Sequence, residues 1–400
     1  MRITLVTETF APQVNGVSRT LGQLVRALRD AGDAVQVVHP DYHDAAAGLD
    51  GVEHVPVRSV RPPFYRDLHL PLPPFRRARR AVDAFRPDLV HVATEATLGL
   101  ALLRHARRRE YPVVSSFHTN FDQYAAHYGV GFLNALVWRY LRVFHNRTRE
   151  TYVPSMATIR DLQSRGFERL VLWPRGVDGA LFRPDRPGRE GVRAAIGAGP
   201  GDVVIGHVSR IAAEKNVAYL AEALRIVAAA RPGVRLLIVG DGPARPELEE
   251  RLGAAAHFAG YRRGDDLADH YAAADLFAFA SKTETFGNVV LEAMASGLPV
   301  VALRAGGPGD IVRDGETGTL VDPDAPPDRF AAALLTLVDE PARRRAMAAA
   351  ARAHAETQSW DAIMAALRER YAVVLAGSAD PSTPSPLVEE GRGGGDALPG

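Results

Sequence analysis

Two glutamates, Glu284 and Glu292, stand eight residues apart in TETFGNVVLEAMASGLPVV (283–301), a stretch otherwise made of apolar and small residues. A carboxylate that leaves water without gaining partners is costly, or is protonated instead. Asn288 is a good N-cap, and Gly297 and Pro299 are stop signals, so the segment predicts a helix from about Asn288 to Ser296. Glu284 then precedes the helix and Glu292 lies one turn inside it, both near the positive end where anions bind. Glu292 is not at the position a capping box requires relative to Asn288. Carboxylates repel a phosphate but accept hydrogen bonds from hydroxyls on either side of it. A phosphate flanked by hydroxyl-bearing groups describes a nucleotide sugar. The plainer alternative is that both glutamates merely favour the helix dipole.

Three further places have the residue types for chemistry. Arg210 and Lys215 follow the apolar run VVIGHVS, five residues apart on a loop entering a helix. Such a pair suits a pyrophosphate, Arg through forked hydrogen bonds and Lys as a point charge; two solvated loop charges are the alternative. His118 follows PVVSSF directly, where it is either a ligand-facing group or a hydrogen-bonded loop histidine. Asn15-Gly16 reads as a turn, in which Gly16 could let a bare backbone N–H approach a ligand. Tyr124 and Tyr128, one helical turn apart, read as packing residues.

These residues need elements to hold them. RITLVT (2–7) reads as a strand, VSRTLGQLVRALRDAG (17–32) as an amphipathic helix ending at Gly32, and AVQVVHP (34–40) as the next strand. This is a βαβ unit. A second copy begins near residue 202 with DVVIGHVS, NVAYLAEALRIVAAA and VRLLIVGDGP. Further strands are expected at 89–93, 112–117, 276–281 and 298–304, each beside a helical pattern. Alternation of this kind predicts an α/β protein of two Rossmann-like parallel-sheet domains facing a central cleft. In such sheets ligands sit beyond the carboxyl ends of strands, which is where Arg210, His118 and Glu284 fall. The boundary is expected in WPRGVDGALFRPDRPGRE (173–190), giving domains 1–176 and 177–357. Residues 377–400, SADPSTPSPLVEEGRGGGDALPG from Ser378, read as a low-complexity disordered tail.

Composition removes other classes. Cys is 0, so there is no disulfide, thiolate metal site or cysteine nucleophile, which fits a reducing cytoplasm. Net charge is +1, leaving no global field toward nucleic acid. No stretch approaches the roughly 20 apolar residues of a membrane-spanning helix, and the N-terminal apolar run is too short for a signal peptide. A dinucleotide fingerprint is missing: the first loop offers only Gly16 and the second, SRIAAEKN, no glycine. There is no P-loop motif either.

ETFGNVVLEAMASGLPVV resembles the E-x7-E signature of retaining GT-B glycosyltransferases of family 4, with VSRIAAEKN, LLIVGDGP, FAGY, YAAADLFAFAS and AGGPGDIV in matching order. The resemblance covers about residues 1 to 375. It implies that Arg210 and Lys215 hold the donor diphosphate. Glu284 would contact the donor sugar's hydroxyls, with Phe286, Gly287 and Asn288 presenting backbone near the sugar and phosphate. Glu292 would bind the ribose, Gly16 would lie near the phosphates, and His118 would touch the transferred sugar. Catalytic roles would fall to His118 and Glu284. It further implies retention of configuration, no divalent metal or other cofactor, and a final helix, residues 358–376, crossing back to the N-terminal domain.

PQVNGVSRT, FHTNFDQYAAHYG, LWPRGVD and AGGPGD are most similar to a lipid-directed branch. That branch includes GDP-mannose-dependent α-mannosyltransferases and sulfoquinovosyl-diacylglycerol synthases; many relatives carry Asn in place of Arg175 and Glu in place of Asp310. The expectation is transfer of a hexose, mannose from GDP-mannose, to a lipid or glycolipid hydroxyl. UDP-sugar transfer to diacylglycerol, a nucleotide-sugar 2-epimerase and a catalytically silent sugar-nucleotide binder are the alternatives. Residues 61–85, with Arg76, Arg77, Arg79 and Arg80, could lie on the anionic inner face of the plasma membrane, each cation contributing about 1 kcal/mol; a solvated helix face is the alternative.

Overall fold

The computed structural model describes residues 1–13, 15–42, 49–61, 69–118 and 134–377. Tyr124, Tyr128, much of the 61–85 segment ahead of its helix, and the tail from Ser378 lie outside the described residues. The chain divides into two compact units, one formed by Met1–Pro174 with the segment from Asp361 onward, the other by Arg175–Trp360.

The first unit contains β1 (Arg2–Val6), β2 (Ala34–Pro40), β3 (Val52–Val57), the short β4 (Ser59–Val60) and β5 (Leu70–Pro71), then β6 (Leu89–Val92), β7 (Val113–Ser116), β8 (Thr151–Val153) and β9 (Leu170–Leu172). Seven of these form one parallel sheet in the order β3-β2-β1-β6-β7-β8-β9, while β4 and β5 pair antiparallel. Register runs Ile3 to Val35 on one side of β1 and Ile3 to Leu89 on the other. Both faces are covered, so the strands are buried and mostly apolar. Buried Thr4 donates to Gln36 Oε1 across 3.0 Å.

The second unit repeats the plan with β10 (Val203–Val208), β11 (Val234–Val239), β12 (Ala256–Gly260), β13 (Leu276–Phe279), β14 (Val300–Leu303) and β15 (Gly318–Val321), in the order β12-β11-β10-β13-β14-β15, all parallel. Alternation sorts its side chains into two cores. Val204, Leu237, Phe277 and Phe279 join one cluster; Ile205, Leu236, Ile238, Leu276 and Ala278 join the other. A fully buried Phe or Leu contributes about 1.5–3 kcal/mol, so this two-sided burial is what holds the strand ends rigid.

The final helix, Trp360–Leu375, belongs to the first unit from Asp361. Arg368 Nε meets Asp33 Oδ2 at 2.6 Å, Arg370 Nε meets Glu150 Oε1 at 2.8 Å, and Arg149 Nη1 donates to Val374 O at 3.0 Å. The division of the chain differs by a few residues from domains 1–176 and 177–357. Arg175 and Gly176 fall in the second unit, as do residues 358–360. The reason is local: Val177 N donates to Gln358 O at 2.9 Å, and a Cβ on Gly176 would come within 2.6 Å of the Trp360 backbone.

Candidate functional site

In the second unit the strand order turns back between β10 and β13, the topological switch point where parallel sheets open a crevice for ligands. The loop after β10 carries Arg210 and Lys215; the loop after β13 carries Glu284. Here Lys215 Nζ meets Glu284 Oε1 at 2.5 Å, with the two side chains 21% and 20% exposed. A cation and a carboxylate from opposite sides of the switch point therefore share one half-exposed place. The loops are tied twice more, by Thr283 Oγ1 donating to Glu214 O at 3.0 Å and Asn216 Nδ2 donating to Ala280 O at 3.1 Å. Asn216 adopts a left-handed φ of 57°, which ends the short turn Ala213–Lys215 and starts the helix Val217–Ala230. Arg210 is not drawn into the Lys215–Glu284 pair. Its side chain is 65% exposed and joined to Glu214.

The helix after β13 spans Asn288–Ala295. Asn288 is not its N-cap, contrary to the sequence expectation. Gly287, at φ 93°, holds the cap position, and no side chain caps the helix. Chain direction explains this: the loop must turn through the left-handed region, which glycine alone enters at no steric cost. Asn288 is thereby the first helical residue, and its Oδ1 is buried with no hydrogen-bond partner among the described residues. Glu292, one turn further, is 6% exposed, and its Oε2 accepts from the Tyr271 hydroxyl at 3.1 Å. That bond fixes the orientation of a carboxylate that burial would otherwise penalise.

A third loop, after β14, closes on this segment. Gly307 N donates to Glu284 O at 2.9 Å. A Cβ on Gly306 would stand 2.4 Å from Glu284 O, and one on Gly307 would stand 2.1 Å from Phe286 O. AGGPGD is thus a pair of glycines that lets one backbone lie against another, fixing Glu284, Phe286 (8% exposed) and Gly287 in place.

Gly16 and His118 belong to the first unit. Asn15, rather than forming only a turn, caps the helix Gly16–Asp30 by accepting from Ser18 N at 2.8 Å. Gly16 is the first residue of that helix, and a Cβ there would meet nothing within 4 Å. Packing within the unit does not require glycine at this place. His118 lies just beyond β7, its Nε2 2.8 Å from Ser116 Oγ and its ring edge-on to Trp173 at 5.7 Å. The second unit therefore gathers Lys215, Glu284, Phe286, Gly287, Asn288 and Glu292 around the loops after β10 and β13, with Arg210 beside them.

Residues 14–180 match the family described as Glycosyltransferase Family 4, and residues 202–340 match the family described as Glycosyl transferases group 1. A GDP-mannose-dependent alpha-mannosyltransferase of Mycobacterium tuberculosis is 37% identical over 378 residues, 94% of this chain and 97% of that protein. The chain belongs to glycosyltransferase family 4. A sulfoquinovosyl transferase of Arabidopsis thaliana is 34% identical over 90% of this chain and 71% of its own length. Among solved structures, sucrose-phosphate synthase from Thermosynechococcus elongatus superposes with a TM-score of 0.75 at 22% identity, covering 94% of this chain and 99% of the other. Anabaena HepE in complex with UDP also gives 0.75 at 22% identity, covering 93% and 100%. These likenesses show the fold, which is GT-B, and family membership makes the chain a hexosyltransferase.

Several polar residues of the family member's first unit escape a sequence reading. Glu8, two residues beyond β1, accepts from Leu98 N at 2.9 Å and Gly99 N at 3.0 Å, so it occupies the start of the helix Thr97–Arg108. Burial is the main cause that pushes its carboxyl above the usual range. Glu95, after β6, meets His145 Nε2 at 3.2 Å, and His145 Nδ1 meets Ser115 Oγ at 2.9 Å. The only hint in the chain is that Glu8 and Glu95 each follow a strand, as Glu284 does. Among the described residues no group of three or more His, Cys, Asp and Glu could hold a metal ion.

Proposed function

We propose that this enzyme transfers a hexose, mannose from GDP-mannose, to a hydroxyl of a lipid or glycolipid acceptor, with retention of anomeric configuration. The observation that carries the donor half is the meeting of Lys215 and Glu284 at the switch point of the second unit, beside a helix start and a buried carboxylate. The choice of GDP-mannose is supported by the mycobacterial relative, and that of a lipid acceptor by a streptococcal alpha-monoglucosyldiacylglycerol synthase, 31% identical over 76% of this chain.

The residues divide the work by their chemistry. Lys215 and Arg210 neutralise the charge that grows on the leaving diphosphate, together with the N–H groups at the start of the Asn288–Ala295 helix. Glu284 accepts from sugar hydroxyls, and its bond to Lys215 loosens as the phosphate takes that cation. Glu292, oriented by Tyr271, accepts from ribose hydroxyls. The buried Asn288 Oδ1 offers a further acceptor, and Phe286 and Gly287 present backbone. Gly16 approaches the phosphates, and His118 contacts the transferred sugar. We propose that these cations suffice without a divalent metal. No residue is assigned as covalent nucleophile; the incoming hydroxyl attacks from the face that the diphosphate leaves.

No helix among the described residues is long and apolar enough to cross a membrane. Peripheral attachment to an anionic surface is proposed through the helix Arg76–Phe85, whose Arg76, Arg77 and Arg80 alternate with buried Ala78 and Val82.

Calorimetry with GDP and UDP side by side, followed by incubation of GDP-mannose with lipid acceptors in EDTA, tests the proposal. Tighter GDP binding and metal-independent mannosyl transfer are the expected results. Preference for UDP would move the donor to a UDP-sugar, and epimerised sugar without acceptor would sink the transferase reaction.

A further inference from the structure

Within the first unit a chain of hydrogen bonds runs from the final helix to His118. The Tyr371 hydroxyl lies 2.6 Å from His91 Nδ1, His91 Nε2 lies 3.0 Å from Ser116 Oγ, and Ser116 Oγ lies 2.8 Å from His118 Nε2. Tyr371, His91 and Ser116 are each fully buried. His91 sits on β6 and Ser116 on the neighbouring β7, with their side chains on one face of the sheet beneath the helix Trp360–Leu375.

The direction of this chain is set by counting protons. The Tyr371 hydroxyl meets no other hydrogen-bonding group among the described residues. If it accepted from His91, its own proton would be buried without an acceptor, at the full desolvation cost of that group. Donation by Tyr371 leaves only a spare lone pair, which is far cheaper. His91 Nδ1 is then the acceptor and Nε2 carries the ring proton. Burial pushes the His91 imidazole down to about 3, so the ring stays neutral and holds one proton, not two. His91 Nε2–H therefore donates to Ser116 Oγ. The Ser116 hydroxyl, its oxygen facing one donor, turns its own proton to His118 Nε2.

We infer that Tyr371 and His91 are positioning residues that, through Ser116, hold His118 in the Nδ1–H tautomer. Set this way, His118 presents a hydrogen-bond donor to whatever its Nδ1 faces. It suits the oxygen of a sugar hydroxyl and does not suit a general base. A residue on the last helix thus sets the chemistry of a loop 253 positions earlier in the chain, without touching substrate. Its bearing on catalysis rests on the sugar-contacting role proposed for His118; the tautomer itself does not.

The test is long-range proton–nitrogen NMR on the full-length protein with labelled histidine, His118 being assigned by its loss in His118→Gln. The expected spectrum shows His118 protonated on Nδ1 and His91 on Nε2. Tyr371→Phe should turn His118 into a mixture of tautomers and lower kcat about tenfold with a smaller change in KM. Ser116→Thr, which keeps the hydroxyl, should hold the tautomer where Ser116→Ala loses it. An Nε2–H tautomer for His118 in the unaltered protein, which needs no variant to fold, would overturn the inference. So would an unchanged His118 signal in Tyr371→Phe. If the tautomer is as stated but His118→Gln transfers sugar at the full rate, the relay stands and the catalytic role of His118 falls.

Discussion

The two units share a plan and differ in what they put at its switch point. Each sheet turns back next to its first strand, between β1 and β6 in one and between β10 and β13 in the other. In the second unit the loops beyond that point carry a half-exposed cation and carboxylate, Lys215 and Glu284. In the first they carry Glu8, folded back onto the N–H groups of Leu98 and Gly99, and Glu95 against His145. The start of the helix Asn288–Ala295 is capped by no side chain, whereas that of the helix Thr97–Arg108 is filled by the chain's own carboxylate. The same backbone plan therefore leaves a helix start open or fills it according to a single side chain, which is why fold alone does not specify activity.

Substitutions at these positions measure the contrast. The largest effect is expected in Glu284→Ala, a fall in kcat of about 10²–10³-fold, the scale of one preorganised hydrogen bond to the reacting group. GDP binding by calorimetry should change only a few-fold in that variant. Lys215→Ala should weaken GDP by about ten- to a hundredfold, because a charge-assisted bond to phosphate is worth roughly 1.5–3 kcal/mol. Glu8→Gln should leave GDP affinity unchanged. If it weakened GDP as much as Lys215→Ala does, the distinction between the two switch points would collapse.

Glycines sharpen the contrast next. Gly307→Ala places a Cβ against the Phe286 carbonyl, and neither backbone can yield cheaply. A loss of about 1–3 kcal/mol is expected in denaturant unfolding. Gly16→Ala meets open space and should leave stability unchanged within about 1 kcal/mol. A loss of transfer in that variant would then report an approaching ligand and not a damaged fold. Tyr271→Phe, which removes one partner of Glu292, should weaken GDP about three- to tenfold, the equivalent of roughly 0.5–1.5 kcal/mol.

The smallest effect concerns pH. Burial raises the Asp33 carboxyl, but hydrogen bonds from Arg368 and the N-terminal amine outweigh it and hold the group below its ordinary 3.8. A depressed carboxylate contributes stability that is fully present above the unfolded value and lost as pH falls through the folded one. Asp33→Asn should therefore cost about 1 kcal/mol at neutral pH. Melting curves of the variant and the unaltered protein should begin to approach each other near pH 4 and converge only below the depressed folded value.

How much of the fold and the site was legible depended on distance along the chain. The two βαβ units, the E-x7-E segment and the cations after β10 lie within short windows, so periodicity and motif order reveal them. Asn288 misled because a good N-cap residue came directly after a glycine whose left-handed turn had already set the cap; only the backbone path distinguishes the two. Pairings across long separations left no trace. Lys215 and Glu284 meet because two loops flank one switch point, and nothing in either loop announces the other. The Tyr371–His91–Ser116 chain is more extreme, since each member alone reads as ordinary core.

The second unit enters at Arg175 and leaves at Trp360, with Val177 N bonded to Gln358 O where its two ends meet. It is in effect a closed cassette inserted into the first unit, whose own sequence resumes at Asp361. Cutting just outside these joined ends would release the whole second unit as one contiguous polypeptide. A short linker could then bridge Pro174 to Asp361. Recombination between relatives at these two junctions would exchange the second unit in a single event while leaving the first unit and its final helix intact.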